Sequence, residues 1–393
     1  MVFTVVDQTN KRFNFMPFLQ QIMAFVCIKR GKIMNKTQEL VKVGVESWGI
    51  YVPELRHSAK HISEKSGIPQ NVLETKFGLH AKSIAGPEDH NVVMAVKASN
   101  IAIQRAGINA KDIDLVIWAG EISDKYLMQT YGIKLQHEIG APNAMAFDIN
   151  QRCATFMLAF NLVKGMMIVY PNIKRVLIAS GYRNCDLIDY GNPRTRFMIS
   201  LGASGAAVLL KRDHPENALL ASAVLTDGQF SEDVYVPGGG SGIPMTTPGG
   251  DIPATAYEVI EKKLNYLDVP DPEGMKNRLD RLSMSNFIKV IDMAIDDSGY
   301  SRKDIGYFGL LHMKPSAFEY VSNEVGVDVK TQTTYWDEFI NMGHMGQNDG
   351  IIALELGVKH NKIKPGDLVV LAAAGIGYCW GASCIKWGKS PIG

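Results

Sequence analysis

Short apolar runs alternate with amphipathic segments along most of the chain. Residues 41–51 and 114–119 have the length and composition of strands. Residues 91–106 carry apolar side chains at helical spacing, and Gly107 follows where a left-handed glycine would end the helix. Alternating strands and helices predict an α/β fold. A further buried strand is predicted at residues 144–149, further strands at residues 174–180, 205–210, 219–225, 305–311, 368–373 and 382–387, and further helices at residues 284–297 and 351–358.

The order of elements repeats after about residue 216, which indicates an internal duplication. We therefore divide the chain into an N-terminal extension at residues 1–38, a first half at 39–215 and a second half at 216–393. A loop rich in glycine and proline, residues 235–253, interrupts the second half. Long loops of this kind form lids and substrate walls as well as surface excursions, so both interpretations stay open.

The bulk composition excludes several classes of protein. The 393 residues are 46% hydrophobic and 21% charged, and 41 basic against 40 acidic residues give a net charge of +1. This balance provides no general attraction to nucleic acid or to an anionic membrane. Five scattered cysteines fit neither a disulfide framework nor a metal site, so we expect a cytoplasmic protein. The apolar residues 154–170 are short for a bilayer span and predict a buried core helix.

The N-terminal segment loosely imitates a signal peptide. Lys11 and Arg12 precede an apolar run at residues 13–28, but two glutamines interrupt the run and no small-residue cleavage site follows. The sequence that begins at Met34 resembles the start of a folded domain. We interpret residues 1–33 as an added or misassigned leader.

Cys153 occupies a position where a cysteine can react. A strand at residues 146–149 bends into a helix that is apolar on nearly every face. A helix N-terminus favours the thiolate through its free N–H groups and its dipole. A thiolate here could attack a thioester and carry the acyl group covalently. Most cysteines are small buried residues, so position alone leaves a structural role open.

Two further segments carry candidate chemistry. His312 follows a buried strand, where it could act as a base, as a hydrogen-bond donor or as an ordinary core residue. Glycine-rich segments lie at residues 343–347 and 375–382. Their backbone N–H groups could approach a ligand closely, as an oxyanion hole requires, or could simply form tight turns.

Three segments together resemble the 3-oxoacyl-acyl-carrier-protein synthase III family of the thiolase superfamily, over residues 42–387. They are FDINQRCATFMLAF, LLHMKP and IKPGDLVVLAAAGIGYCWGASCIKW. The resemblance implies a thiolase fold, which is a duplicated five-layered α-β-α-β-α architecture, in a homodimer without a metal or redox cofactor. It implies Cys153 as the nucleophile, His312 as the catalytic histidine, and an oxyanion hole from the N–H groups of Cys153 and of Ile376 or Gly377.

The sequence departs from that family at a second catalytic position. The family's asparagine falls on His344, which gives a Cys-His-His set like that of the elongating ketosynthases. Two neutral imidazoles can donate hydrogen bonds to a thioester oxygen as enolate charge develops. Asn348 and Asp349 are nearby residues that could instead orient an imidazole.

Positions that recognise the thiol carrier in this family are also altered. The usual basic residue five positions after the histidine is Ala317, and the aromatic position that helps bind adenine falls on Val72, although Lys76 keeps a basic residue nearby. The phenylalanine that each subunit lends to its partner's acyl pocket falls near Met128. We therefore expect an unusual acyl donor or acceptor.

Three functions remain open. The first is decarboxylative Claisen condensation, in which Cys153 takes an acyl group and a malonyl-type thioester supplies the enolate. The second is acyl transfer to an oxygen or nitrogen acceptor, with His312 as the base and Asp349 as its orienter. The third is a non-catalytic subunit of a heteromeric synthase, which the retained cysteine and histidine disfavour. The expected partners are acyl-coenzyme A or acyl-carrier-protein thioesters, and neither nucleic acid nor membrane.

Overall fold

The computed structural model describes residues 41–391 of the chain. The predictions made for residues 1–38, including the basic pair and the apolar run, lie outside the described residues.

Nine strands of the described part form one mixed sheet, and they are the nine strands that the apolar runs predict. With the two strands of a separate small sheet, the strands of the described residues are β1 (Val43–Tyr51), β2 (Arg56–Ser58), β3 (Ala81–Ser83), β4 (Leu115–Ala119), β5 (Met145–Ile149), β6 (Arg175–Tyr182), β7 (Ser204–Arg212), β8 (Ala218–Thr226), β9 (Ile305–Leu310), β10 (Leu368–Gly375) and β11 (Cys379–Lys386). The large sheet has the order β5-β4-β6-β7-β1-β8-β11-β10-β9, and β2 pairs separately with β3.

The strand order of the sheet repeats. In the first run, β4 and β6 are parallel, β6 and β7 antiparallel, and β7 and β1 antiparallel. In the second run, β9 and β10 are parallel, β10 and β11 antiparallel, and β11 and β8 antiparallel. The runs meet where Gly44 of β1 pairs with Ala218 of β8. The predicted division between residues 215 and 216 falls in the connection between β7 and β8.

Helices cover and separate the two runs. Within residues 41–391 they are α1 (Ala59–Ser66), α2 (Gln70–Lys76), α3 (Asn91–Ala106), α4 (Tyr131–Glu138), α5 (Thr155–Val169), α6 (Ala254–Glu261), α7 (Pro272–Asp297), α8 (Pro315–Glu324) and α9 (Asp349–Lys359). Helix α3 packs on β1, β6 and β7, and α7 packs on β8, β10 and β11. Helices α5 and α9 each contact strands of both runs. The layers therefore follow the α-β-α-β-α order of a thiolase fold.

Helix α5 fills the middle layer because it is apolar on nearly all sides. The segment Arg152–Val169 has the length and hydropathy that a membrane crossing requires, yet half of it is buried within the protein. Phe156, Phe160, Val163 and Met167 are completely buried. The prediction of a core helix over this segment is thus confirmed for its buried side, and the turn that precedes the helix brings Cys153 into the interior.

Two predictions about individual elements are wrong in part, one in the burial of a strand and one in the start of a helix. We expected a buried strand at residues 144–149, but β5 is the edge strand of the sheet and Met145 is 54% exposed. The run is apolar because one side packs inward, and an edge strand leaves the other side open. We expected a helix at residues 284–297, but α7 begins at Pro272, where the Asp271 side chain caps it by accepting from Gly274 N–H at 2.9 Å.

Candidate active site

Cys153 lies in a short 3₁₀ turn, Arg152–Ala154, that joins β5 to α5. Arg152 has a φ of 48°, in the left-handed region that L-residues seldom adopt. The turn is held locally, since Arg152 N–H donates to Asn150 Oδ1 at 2.9 Å. This bend places Cys153 inside the protein, where only 7% of the residue is exposed.

His344 is the histidine that contacts the cysteine. Its Nε2 lies 3.4 Å from Cys153 Sγ, and its Nδ1 lies 2.6 Å from Asp349 Oδ2. Asp349 is completely buried and also accepts the backbone N–H groups of His312 at 2.7 Å and Met345 at 2.8 Å. Because the carboxylate holds a proton on Nδ1, the neutral His344 ring presents an unprotonated Nε2 to the sulfur. The structure thus forms a hydrogen-bonded series of cysteine, histidine and aspartate.

Of the two residues considered as orienters of an imidazole, only Asp349 contacts one. Asn348 donates through Nδ2 to Ser204 Oγ at 3.0 Å, away from both histidines. Asp349 accepts the side chain of His344 but only the backbone of His312. The acyl-transfer hypothesis predicts that Asp349 orients the ring of His312. This prediction is wrong, because the carboxylate binds the ring of His344 instead.

His312 follows β9, and its ring contacts groups other than Cys153. Its Nε2 lies 3.2 Å from the carbonyl oxygen of Gly78, and the ring stacks on Tyr335 with centroids 5.5 Å apart. Its Nδ1 is buried without a hydrogen-bond partner among the described residues. Burial lowers the pKa of His312 to about 4, against an opposing contribution from Asp349. His312 is therefore neutral at physiological pH.

His344 and Cys153, the two groups in this contact, both have a raised pKa. Burial would lower the pKa of His344, but the charge and hydrogen bond of Asp349 raise that pKa above its ordinary value. Burial raises the pKa of the Cys153 thiol well above its ordinary value, and the neighbouring Glu121 raises it further. The sequence favoured a thiolate at the helix N-terminus. In the structure, burial and a nearby carboxyl group outweigh the helix dipole, so the free protein holds a thiol.

Glu121 is a site residue that the sequence analysis missed. It follows β4 by two residues, and its Oε1 lies 3.7 Å from Cys153 Sγ. Its Oε2 accepts from Asn184 Nδ2 at 3.0 Å. Burial raises the pKa of Glu121 above its ordinary value, although the cation of Arg152 and the hydrogen bond from Asn184 oppose the shift. Glu121 could have been found only from the sheet topology. Because β4 and β5 are parallel neighbours, their carboxyl ends lie at the same edge of the sheet, and the residues that follow them are brought together.

The glycine-rich turn between β10 and β11 lies against Cys153. A Cβ atom added to Gly375 would lie 2.8 Å from Cys153 N and 2.6 Å from Arg152 Cβ, so only glycine fits there. Ile376 lines the cavity beside Cys153. Gly377 has a φ of 110° and is exposed outside the cavity lining. Of the predicted oxyanion-hole residues, the structure brings together Cys153 and Ile376.

One cavity of about 740 Å³ contains Cys153, His312 and His344. Tyr235 and Val236, the first residues of the loop at 235–253, also line it, so the beginning of that loop is a cavity wall. The lining beyond the polar groups is largely apolar and comprises Leu187, Phe197, Leu201, Val234, Val236, Leu267, Leu279, Met284 and Phe287.

The residues predicted to bind substrate are divided between the cavity and the surface. Ala317 lines the cavity together with Phe77 and Lys314. Lys76 is exposed at the end of α2 and is not part of the lining. Met128 is fully exposed and has a φ of 61°. Neither of the latter two reaches the cavity of its own chain.

A metal centre is not evident in the part of the chain that the structure describes, since residues 41–391 contain no group of three or more His, Cys, Asp or Glu side chains that could hold a metal ion.

Comparison with known proteins supports the resemblance to one family. Residues 147–228 match the family described as 3-oxoacyl-[acyl-carrier-protein (ACP)] synthase III, and residues 295–387 match its C-terminal region. A β-ketoacyl-[acyl-carrier-protein] synthase III from Clostridioides difficile (strain 630) is 26% identical over 346 residues, which cover 88% of this chain and 98% of the relative. One from Porphyra purpurea is 25% identical over 348 residues, which cover 88% and 99%.

Solved structures show the same fold. The 3-oxoacyl-[acyl-carrier-protein] synthase III from Aquifex aeolicus VF5 superimposes with a TM-score of 0.72 at 18% identity, covering 88% of this chain and 100% of the other. The priming β-ketosynthase of the R1128 polyketide pathway gives 0.74 at 19% identity, covering 89% and 97%. Fold and comparisons together define a thiolase-fold protein of the condensing-enzyme type. Within that class, the chain is a 3-oxoacyl-[acyl-carrier-protein] synthase III-like protein, as its sequence motifs predicted.

Proposed function

We propose that this protein catalyses decarboxylative Claisen condensation between an acyl group carried on Cys153 and a malonyl-type thioester. The observation that carries the proposal is the 3.4 Å contact between Cys153 Sγ and His344 Nε2, at a cavity that also contains His312. The relatives are named β-ketoacyl-[acyl-carrier-protein] synthases, which supports condensation as the class of reaction.

In the first half of the reaction, Cys153 is acylated. The unprotonated Nε2 of His344 takes the thiol proton as Sγ attacks the incoming thioester, and Asp349 stabilises the imidazolium that forms. The N–H groups of Cys153 and of Ile376 or Gly377 would bind the oxyanion. His344 then gives the proton to the departing carrier sulfur, which completes the transfer and restores the neutral ring.

In the second half, a neutral hydrogen-bond donor must stabilise the enolate left by decarboxylation. We assign this role to His312, whose low pKa keeps it neutral. Its Nε2–H, which now faces Gly78 O, would turn to the thioester oxygen. His344 cannot share this role while neutral, because its Nδ1–H is engaged by Asp349 and its Nε2 carries no proton. This differs from the pair of imidazole donors that the sequence suggested.

The apolar lining supports an acyl group longer than acetyl. A volume of about 740 Å³ falls in the range of cavities that hold drug-sized ligands, about 300–1,000 Å³. A two-carbon acyl group would leave most of this apolar surface without a partner. We expect a thioester of coenzyme A or acyl-carrier protein to deliver the acyl group. The homodimer, the cytoplasmic location and the roles of Lys76, Ala317 and Met128 stay predictions.

The test separates the two half-reactions. The enzyme is incubated with octanoyl-coenzyme A, intact-protein mass spectrometry measures the adduct, and labelled malonyl-coenzyme A then reports carbon dioxide release. We expect one octanoyl adduct on the unmodified enzyme and none on Cys153→Ala. Cys384→Ala is the matched control, because Cys384 lies on β11 outside the cavity lining. Retention of both activities in Cys153→Ala would contradict the proposal.

The series of Cys153, His344 and Asp349 also favours a second candidate, acyl transfer to an oxygen or nitrogen acceptor. In that case an alcohol or amine added to the octanoylated enzyme would remove the adduct without any malonyl thioester. Carbon dioxide release in the absence of an added acceptor would count against this candidate.

A further inference from the structure

Two ionisable groups face the sulfur of Cys153, and the mechanism above uses only one. His344 Nε2 lies 3.4 Å from Sγ and Glu121 Oε1 lies 3.7 Å from it. Glu121 lines the cavity, and its second oxygen is occupied by Asn184. Among the described residues, the oxygen that points to the sulfur makes no other side-chain hydrogen bond.

The stoichiometry of condensation requires a proton at this sulfur. The malonyl carboxylate leaves as carbon dioxide, and the electron pair it releases forms the new carbon–carbon bond with the acyl carbon. When the bond between that carbon and Sγ breaks, its electron pair stays on Cys153, which must gain a proton to become the thiol again. His344 has already passed the first thiol proton to the departing carrier sulfur, so its Nε2 is unprotonated at this stage. Another donor within reach of Sγ is needed.

We propose that Glu121 is this donor, a catalytic residue that gives its proton from Oε1 to Cys153 Sγ as the sulfur leaves the tetrahedral intermediate. The assignment rests on the proposed condensation function. After the transfer Glu121 is a carboxylate, and water entering the cavity returns the proton before the next turnover. One proton is consumed in each cycle, as the overall reaction demands.

The surroundings of Glu121 suit a general acid. Burial raises its pKa, so the protonated form persists at a pH above the ordinary range of a glutamate. A protonated carboxyl group also avoids placing a negative charge beside the malonyl carboxylate. The contact with Asn184 fixes one oxygen and leaves the other directed at the sulfur.

The experiment measures the two half-reactions in single turnover on the full-length protein. Octanoyl-coenzyme A first loads Cys153, and malonyl-coenzyme A then discharges it, with each adduct followed by mass spectrometry across a pH series. Glu121→Gln keeps the size of the side chain and an oxygen that can accept from Asn184, but it removes the acidic proton. Glu138→Gln, at the end of α4, is the matched control.

We expect Glu121→Gln to load at a rate near that of the unmodified enzyme and to discharge about 10²- to 10⁴-fold more slowly. The discharge rate of the unmodified enzyme should fall as pH rises through the raised pKa of Glu121, because the acid form is lost. This dependence should be absent in Glu121→Gln. Glu121→Asp, which keeps the acid at a greater distance, should discharge at an intermediate rate and retain the dependence.

Discharge of Glu121→Gln at the normal rate and with the normal pH profile would overturn the assignment of Glu121 alone. Failure of the unmodified enzyme to load at all would overturn the proposed function and this assignment with it, so the two failures are distinguishable. If Glu121→Gln does not fold, Glu121→Asp decides the question, since an unchanged discharge rate in that variant overturns the assignment.

Discussion

Asp349 offers the sharpest test of the site, because one buried carboxylate serves three donors. Its Oδ2 accepts from His344 Nδ1 at 2.6 Å and His312 N–H at 2.7 Å, and its Oδ1 accepts from Met345 N–H at 2.8 Å. Both backbone donors are fixed in place. In Asp349→Asn the amide can present its oxygen to only one side, so either orientation sets its NH₂ group against a backbone N–H.

The substitution should therefore affect stability and catalysis separately. One buried N–H left without an acceptor costs about 1–3 kcal/mol of unfolding free energy. If the amide oxygen replaces Oδ2, His344 keeps its tautomer but loses the charge that stabilises its imidazolium. We expect acylation of Cys153 to slow about a hundred- to thousandfold, equivalent to about 3–4 kcal/mol of transition-state stabilisation.

The pH dependence supplies a second readout. His344 must be unprotonated to accept the thiol proton, so acylation should be present above its folded-state pKa and lost as pH falls through it. Asp349 raises that pKa. Removing the carboxylate charge lowers it, so the acidic limb of the remaining activity should move to lower pH.

The assay is the rate of octanoyl adduct formation at several pH values, with urea unfolding measured in parallel. Asp297→Asn, at the exposed end of α7, is the control for loss of a carboxylate elsewhere. An Asp349→Asn enzyme that acylates at the normal rate with an unmoved acidic limb would refute the argument that Asp349 sets the state of His344.

Three further substitutions test other parts of the site. His312→Ala should leave octanoyl loading within about tenfold and reduce carbon dioxide release about 10²- to 10³-fold, as loss of one oxyanion donor does; equal losses in both steps would contradict its assignment to the enolate. Gly375→Ala adds a Cβ atom 2.8 Å from Cys153 N, so loading should be lost and urea unfolding should show a destabilisation of about 1–3 kcal/mol. Leu279→Trp narrows the apolar cavity, so competition between octanoyl- and acetyl-coenzyme A should shift toward acetyl by tenfold or more; an unchanged preference would place the acyl chain elsewhere.

The features that could be predicted from the sequence are those that local pattern determines. Apolar runs gave the nine strands of the large sheet, and Gly107 was expected to end α3, where it has a φ of 64°. The segments around Cys153, His312 and His344 could be recognised because each joins a strand or a glycine turn to a reactive side chain. In the structure these three residues line one cavity.

The features that escaped prediction depend on contacts between distant segments. Glu121 looked like an ordinary polar residue after a strand, and only the parallel pairing of β4 with β5 brings it to Cys153. The protonation state of the thiol was misjudged for the same reason, since a helix N-terminus can be read locally whereas burial and a carboxyl group from another strand cannot. Likewise, the sequence could not show that the carbonyl oxygen of Gly78 lies within hydrogen-bond distance of His312 Nε2.

Histidine at position 344 changes the chemistry more than a simple exchange of hydrogen-bond donors would. An asparagine there would donate through an amide that cannot take up a proton, whereas an imidazole can act as a donor or as a base according to its tautomer. Asp349, five residues later at the start of α9, removes that ambiguity by binding Nδ1–H and leaving Nε2 free toward Cys153 Sγ. His344 can therefore act as the base when Cys153 is acylated, although burial keeps the thiol protonated. The same ring cannot donate a hydrogen bond from Nε2 during the later condensation step. The proton that the sulfur needs when it departs must then come from another residue, and Glu121 is the group that the fold places within reach.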